Sequence, residues 1–331
     1  MHRCPVSAFP SCTIPPFRHY LGARNLMASP TRLQKSQPWS TFPKDINQIS
    51  SQLQDARVNN YQIQPISHAL QDLDQDQGYR IAASLRALRE ETANETVAGR
   101  KIGFTNRNIW PEYNIDRSNW SYMYNTTIID LTYENSHERL SYDSGIAEVD
   151  ISHLSNLQPK IEPEIVLGLT RPVSSSMTDA ELLGSLDWIA HGFEVVASVF
   201  PDWKFTAADT TAAFALHALL LVGPKIYVQE AAERSSERLL QQLTDFKIEL
   251  RQNGKTVDEG IGSNVLGNPV KALRHLVELL EKDDYNSALE VGEAVTTGTL
   301  TRALDIHDGD AWSTKISGIE LHGLEVRFKF R

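Results

Sequence analysis

The chain has 331 residues, 41% of them hydrophobic and 22% charged, with a formal net charge of −10 at pH 7. Length and composition suit a globular enzyme of one large domain or two modest ones, and the acidic balance argues against nucleic acid as the main partner. No apolar run approaches the roughly 18 residues that span a bilayer, and the only cysteines, Cys4 and Cys12, leave no disulfide, thiolate zinc site or cysteine nucleophile for the body of the chain, which reads as intracellular.

Residues 1–44 contain no Asp or Glu, but carry Arg3, Arg18, Arg24, Arg32, Lys35 and Lys44 and have five prolines within the first 30 positions. Proline at that density discourages a regular helix, whereas an acid-free, Arg- and Ser-containing leader resembles an organellar transit segment. The segment is expected to be a disordered or targeting leader, or an over-long start with Met27 as the first residue. Cytoplasm and mitochondrion both stay open. A chain starting near Thr41 is expected to keep the thermal midpoint of the full chain; a drop of several degrees would show that the leader docks.

From Asp45 onward, Ile46, Ile49, Leu53 and Ala56 recur at helical spacing, and after Pro65-Ile66-Ser67 a second helix runs through Tyr79, Ile81, Ala82, Leu85 and Leu88. Lys101 to Thr105 reads as a short strand, and residues 106–158 as long loops with short strands. Thr178-Asp179-Ala180-Glu181 provides an N-cap and acidic first turn, predicting a helix that ends near His191-Gly192. His217 to Val222 is a further apolar strand, and helices are predicted at about 229–243 and 268–281, the latter opening on Asn268-Pro269. Asn253-Gly254 marks a hairpin, and the end is strand-dominated: Ala294 to Thr301, the turn Asp308-Gly309-Asp310, then alternation from Ile316 to Phe330. Many strands, few helices and long irregular connections predict an α+β fold, a mixed, curled β-structure with packed helices rather than a doubly wound parallel sheet. The expected division is a leader (1–44), an N-terminal helical region (45–98) and a catalytic β-roll (99–331).

Chemistry is concentrated in Lys160-Ile161-Glu162-Pro163-Glu164-Ile165-Val166-Leu167-Gly168 and in Gly192-Phe193-Glu194-Val195-Val196. Carboxylates at i and i+2 lie on one face of a strand, and a third sits in a second apolar segment. An E-x-E pair alone is more often a solvated strand face. The apolar surroundings bring a second reading level with it: a divalent-cation site built from oxygens, suited to Mg²⁺, Mn²⁺ or Ca²⁺ better than to zinc. His153, His191, His217, His307 and His322 show no ligand spacing and are expected to be solvated or core residues. No G-x-S-x-G, G-x-G-x-x-G or P-loop motif occurs, so neither a serine hydrolase, a nicotinamide site nor a P-loop phosphate site is supported.

With these residues in view, the chain from about 45 to 331 resembles the 2-oxopent-4-enoate hydratase and 4-oxalocrotonate decarboxylase branch of the fumarylacetoacetate hydrolase superfamily. Gln64-Pro65-Ile66-Ser67 with the helix after Gly78-Tyr79 is similar to its N-terminal helical region. Arg100-Lys101-Ile102-Gly103-Phe104-Thr105 is similar to its G-x-K-I-G-x-T strand, Glu162-Pro163-Glu164 to its metal-binding E-x-E, and Glu194 to its third carboxylate. Ala208-Asp209-Thr210 resembles its A-D-N segment, while Thr297-Gly298-Thr299-Leu300-Thr301 and Asp308-Gly309-Asp310 resemble its closing signature.

The resemblance implies a curled β-roll with a deep pocket holding Mg²⁺ or Mn²⁺ on Glu162, Glu164 and Glu194. It implies Lys101 as the catalytic residue, Asp209, Thr210 and Thr299 as substrate-binding residues, a small-molecule 2-oxo acid as partner, and a homo-oligomer. In such a site the ion chelates substrate and stabilises the enolate formed when a proton or CO₂ leaves. The implied function is a metal-dependent lyase, first a hydratase of a 2-hydroxypenta-2,4-dienoate-like substrate. The alternatives are a decarboxylase of a 4-oxalocrotonate-like acid, an acylpyruvate-type hydrolase, and a catalytically idle homologue that binds an active enzyme. Two departures loosen the transfer: Asn119-Trp120-Ser121 stands where family hydratases often carry Asp followed by aromatic-Gly, and Thr210 replaces the usual Asn. The segment between Lys101 and Glu162 is also longer than expected, which implies a remodelled pocket rim.

Overall fold

Asp45 accepts a hydrogen bond from Asn47 N and caps α1 (Ile46–Val58); Asp74 does the same from Gln77 N for α2 (Gln75–Thr92). The computed structural model describes residues 45–330 except 94, 114, 133–137, 144 and 230–234. The leader expectation for 1–44 lies outside the described residues. Ile49, Leu53 and Ala56 of α1 and Ile81 of α2 enter the same hydrophobic cluster as Ile161, Phe193, Trp312 and Phe328. The helical preface therefore shares the core of the β-body.

Beyond α2 come β1 (Val97–Gly103), α3 (Trp110–Tyr113), β2 (Asn119–Tyr124), β3 (Ile128–Asp130), β4 (Leu140–Asp143), β5 (Ile146–Asp150) and β6 (Lys160–Leu169). The middle of the chain forms α4 (Asp179–Leu183), β7 (Leu186–Val196), α5 (Ala207–Ala212), β8 (His217–Tyr227), α6 (Ser236–Asp245), β9 (Lys247–Gln252) and β10 (Lys255–Ile261). It ends with α7 (Pro269–Leu280), β11 (Ala294–Thr296), β12 (Leu304–Asp305), β13 (Ala311–Ser317) and β14 (Glu325–Lys329). One sheet runs β2-β1-β11-β6-β7-β8-β3 with β12 paired to β6, and the other runs β10-β9-β13-β14-β5-β4. The pairs β1–β11, β3–β8 and β5–β14 are parallel among otherwise antiparallel neighbours. The fold is α+β, with helices packed on mixed, curled sheets.

Apolar faces of α6 (Leu239, Leu243) and α7 (Val270, Leu273, Leu276) pack with Ile102 of β1 and with Ile165 and Leu167 of β6. Among the described residues no helix is long and apolar enough to cross a membrane. The expected hairpin forms between β9 and β10, with Asn253 and Gly254 both at positive φ, 50° and 80°.

Two expectations change. The helix predicted from Thr178 to near Gly192 stops at Leu183, with Gly184 as its C-cap, and Leu186–Val196 is a strand. The Thr178–Glu181 capping box is real, but Trp188, Ile189, Phe193, Val195 and Val196 favour a pleated, packed strand once glycine has ended the turn. The strand expected over 294–301 pairs only through Thr296, because Gly298 at φ 95° turns the backbone out of the ladder. That departure serves the site.

Candidate metal centre and substrate cavity

Alternation along β6 places Lys160, Glu162 and Glu164 on one face. Antiparallel register sets Glu162 directly opposite Glu194 on β7, and Glu164 opposite Gly192. Like charges facing each other across a ladder are unfavourable unless a cation or proton intervenes. One carboxylate oxygen from each of Glu162, Glu164 and Glu194 lies within 4.8 Å of the other two. Glu164 and Glu194 are fully buried, whereas Glu162 is half-buried and faces a cavity.

In both buried carboxylates one oxygen is held by the protein. Glu164 Oε2 accepts from Gly298 N at 2.9 Å, and Glu194 Oε1 lies 2.7 Å from His217 Nδ1. The other oxygens, Glu164 Oε1 and Glu194 Oε2, are buried without a hydrogen-bond partner. Glu194 Oε2 is 3.1 Å from Lys101 Nζ, an ion pair outside hydrogen-bond alignment. A buried carboxylate oxygen left without any partner, as Glu164 Oε1 is, is costly unless a cation completes it. Three carboxylates with open positions around them fit a hard divalent ion. The neighbouring imidazoles are engaged elsewhere: His191 Nδ1 and Nε2 meet Glu164 O and Thr314 Oγ1, and His217 Nε2 meets Thr127 Oγ1.

Without an ion the charges sort themselves by environment. Burial pushes Glu162 up to about 7, with Lys101 opposing and Glu194 adding to the shift. Burial and then the charges of Glu194 and Glu162 push Glu164 well above the usual carboxylate range. Burial also opposes charge on Glu194, but Lys101 and His217 outweigh it and hold that carboxyl below the usual range. For Lys101 the three carboxylates overcome burial and raise its pKa, so it is an ammonium. Burial pushes His217 down to about 4 against the pull of Glu194. The ring is thus neutral near pH 7, with its proton assigned to Nδ1, donating to the acceptor-only carboxylate of Glu194, while Nε2 lies 2.9 Å from Thr127 Oγ1.

His217 therefore fixes which oxygen of Glu194 stays open. His217→Phe is expected to weaken divalent-ion binding roughly 10–100-fold, the usual effect of losing a partner behind a ligand. His217→Asn, whose amide can replace the Nδ1 donor, is expected to keep most of the affinity. Mn²⁺ titration of both variants, with thermal midpoints alongside, reads the difference; equal affinities would remove His217 from this role.

A cavity of about 490 Å³ opens from the carboxylates. Lys101, Thr210 and Thr299 line it, and so does Asn119. Asn119 Nδ2 donates to Thr210 Oγ1 at 3.0 Å, and Thr210 donates onward to Ala207 O at 2.9 Å. Thr299 Oγ1 donates to Thr301 O at 3.0 Å. Asp209, expected at the substrate, does not line the cavity. Its Oδ1 accepts from Ser67 N, and its Oδ2 from Ser67 Oγ, Thr206 N and Thr206 Oγ1, all within 2.7–2.8 Å. That carboxylate clamps the Pro65-Ile66-Ser67 segment to the start of α5. Four non-glycine residues of the cavity wall, Phe104, Trp203, Ala215 and Leu216, hold positive φ between 45° and 63°, a strain that concentrates at functional sites.

Sequence reasoning missed His217, the Gly298 N–H, Lys160 and Trp203. Lys160 was findable, two residues before Glu162 on the same strand face; His217 carries no spacing signal, since its approach to Glu194 depends on the register of β7 with β8.

Comparison with known proteins agrees with this architecture. Residues 144–325 match the fumarylacetoacetate (FAA) hydrolase C-terminal family. The 2-hydroxyhexa-2,4-dienoate hydratase of Comamonas testosteroni is 23% identical over 77% of this chain and 87% of its own length. A 2-keto-4-pentenoate hydratase of Burkholderia vietnamiensis is 25% identical over 83% and 94%, and a 4-oxalocrotonate decarboxylase of Pseudomonas putida 23% identical over 82% and 92%. The solved structure of 4-oxalocrotonate decarboxylase from Pseudomonas putida G7, complexed with magnesium and adipate, superposes with a TM-score of 0.72 at 19% identity, covering 86% of this chain and 97% of that one. With its family pattern matched over more than half its length, the chain belongs to the fumarylacetoacetate hydrolase family.

Proposed function

We propose that this protein is a metal-dependent lyase of a small 2-oxo or 2-hydroxydienoic acid, most directly a hydratase of a 2-hydroxypenta-2,4-dienoate-like substrate. The observation that carries the reading is the meeting of Glu162, Glu164 and Glu194, with Glu164 Oε1 buried and unpartnered and Glu194 Oε2 paired only with the Lys101 ammonium, at a cavity. Relatives spanning most of the chain are named for hydration and decarboxylation of such acids.

Glu162, Glu164 and Glu194 would hold Mg²⁺ or Mn²⁺. Such an ion would supply Lewis acidity toward the 2-oxo acid group of a substrate. Lys101, held as an ammonium by the carboxylates around it, stabilises negative charge growing at the substrate. Gly298 and His217 keep two of the three carboxylates oriented. Asn119 is permanently neutral and tied to Thr210, so it shapes the wall and takes up no proton.

That last point favours a second reading, decarboxylation. Losing CO₂ needs an electron sink and one proton donor, whereas hydration must also activate water. Purified protein with Mg²⁺ should be tested for loss of dienol absorbance, with CO₂ release measured in parallel. Mg²⁺-dependent activity in either assay supports the lyase; silence in both, with the metal bound, would leave an idle homologue that binds a partner enzyme.

A further inference from the structure

Along β6 the acid face runs outward from Glu164 through Glu162 to Lys160, and the Lys160 ammonium stands 4.8 Å from the centre of the Trp203 ring. Trp203 is anchored by its Nε1, which donates to Gln158 O at 3.1 Å, and its ring centre is 6.1 Å from that of Phe205. Both rings line the cavity, together with Val196, Leu216 and Leu300. The cavity thus has a carboxylate end and, beyond Lys160, an aromatic end.

We propose that the substrate carries a bulky apolar group, of aromatic size, at the end remote from its 2-oxo acid, and that this group rests on Trp203 and Phe205. The proposal rests on the lyase reading above and names the substrate class of the same site. Volume supports it. Even at the ~30 Å³ that one water occupies in the liquid, the eight non-hydrogen atoms of 2-oxopent-4-enoate would fill only about half of the 490 Å³ cavity. Reach supports it as well. Glu162 and Lys160 are two strand residues apart, about 7 Å, more than the three carbons beyond the 2-oxo group of that acid extend.

Charge argues against the other occupant, a second carboxylate. The rim cations already have partners: Lys160 Nζ lies 3.1 Å from Asp305 and Arg302 Nε 2.9 Å from Asp258. Glu259 adds a further acid to the lining. A diacid would add charge beside cations already neutralised and a surplus of acid, whereas an apolar tail leaves the pairs intact and covers exposed ring surface.

The test is calorimetric binding in the presence of Mg²⁺ of three probes: pyruvate, 2-oxo-4-phenylbut-3-enoate and 2-oxohexanedioate. The phenyl acid is expected to bind at least about tenfold tighter than pyruvate, an advantage that Trp203→Ala cuts by about tenfold and Phe205→Ala reduces. Trp203 is half-exposed, and thermal midpoints of both variants check that the fold stands. If pyruvate binds and the phenyl acid gains nothing, the proposal falls while the lyase reading stands. If the diacid binds tightest and Lys160→Met abolishes its advantage, the remote subsite is anionic and the proposal is overturned. If no 2-oxo acid binds, the lyase reading fails and the proposal with it.

Discussion

Replacing Lys101 by Met is expected to lower turnover by roughly two to four orders of magnitude, the cost of losing a proton donor or a charge partner in the transition state. Substrate affinity should change far less, because growing negative charge feels the ammonium more than the ground state does. Lys101 Nζ lies 3.1 Å from Glu194 and is buried with the three carboxylates around it. Lys101→Arg should not rescue the enzyme: a guanidinium keeps the charge but does not fit the space of the buried ammonium 3.1 Å from Glu194. The variant also separates chemistries. If hydration disappears while CO₂ release persists, the lysine is a proton donor that decarboxylation can do without. If both activities survive within about threefold, Lys101 does not face the reacting atoms.

Glu164→Gln is expected to abolish high-affinity binding of the divalent ion yet leave the fold standing. The amide oxygen can still accept from Gly298 N, and one anion is removed from a crowded cluster. The same cluster gives metal-free protein a pH signature. Glu162 has its pKa raised to about 7, and Glu164 is held well above the ordinary carboxylate range, both chiefly by burial. A carboxyl raised on folding contributes stability that is complete below its unfolded pKa, about 4.3, and is lost as pH climbs through the folded value. Metal-free wild type should therefore lose thermal stability as pH rises through about 7, and Mg²⁺ should restore it most at the alkaline end. Glu194 acts in the opposite sense and only at acid pH, since its depressed pKa contributes stability that disappears as pH falls below the carboxylate range. Metal-free Glu164→Gln should lose less stability on going to pH 8 and gain little from Mg²⁺. A wild-type midpoint that is flat with pH and indifferent to Mg²⁺ would contradict this picture of the site.

Much of this was legible in the sequence, for physical reasons that differ from element to element. Helices α1 and α7 announce themselves by periodicity plus a capping Asp45 or an Asn268-Pro269 start, both local signals. Glu162 and Glu164 are readable because a strand's period of two puts i and i+2 on one face. Glu194 is readable as a third carboxylate in an apolar segment, but its place directly opposite Glu162 is a matter of register between β6 and β7. The helix read into residues 184–192 failed because a strong N-terminal cap says where a helix begins but not that five residues later a glycine hands the chain to a strand. Asp209 failed in a different way. It lies in the expected motif, next to Thr210 in the cavity wall, but on a helix adjacent residues point about 100° apart, and its carboxylate turns to Ser67 and Thr206 instead. Support from behind, such as His217 on Glu194, is long-range and sequence-silent.

The most direct measurement of the central claim follows bound metal and activity on one sample. Metal-free protein should be titrated with Mn²⁺, with occupancy and Mn²⁺-dependent loss of dienol absorbance or release of CO₂ recorded at each addition. A single ion per chain is expected, with turnover rising in proportion to it, and neither binding nor turnover in Glu164→Gln. Full turnover in chelator-treated, metal-free protein, or tight binding that survives in Glu164→Gln, would contradict it.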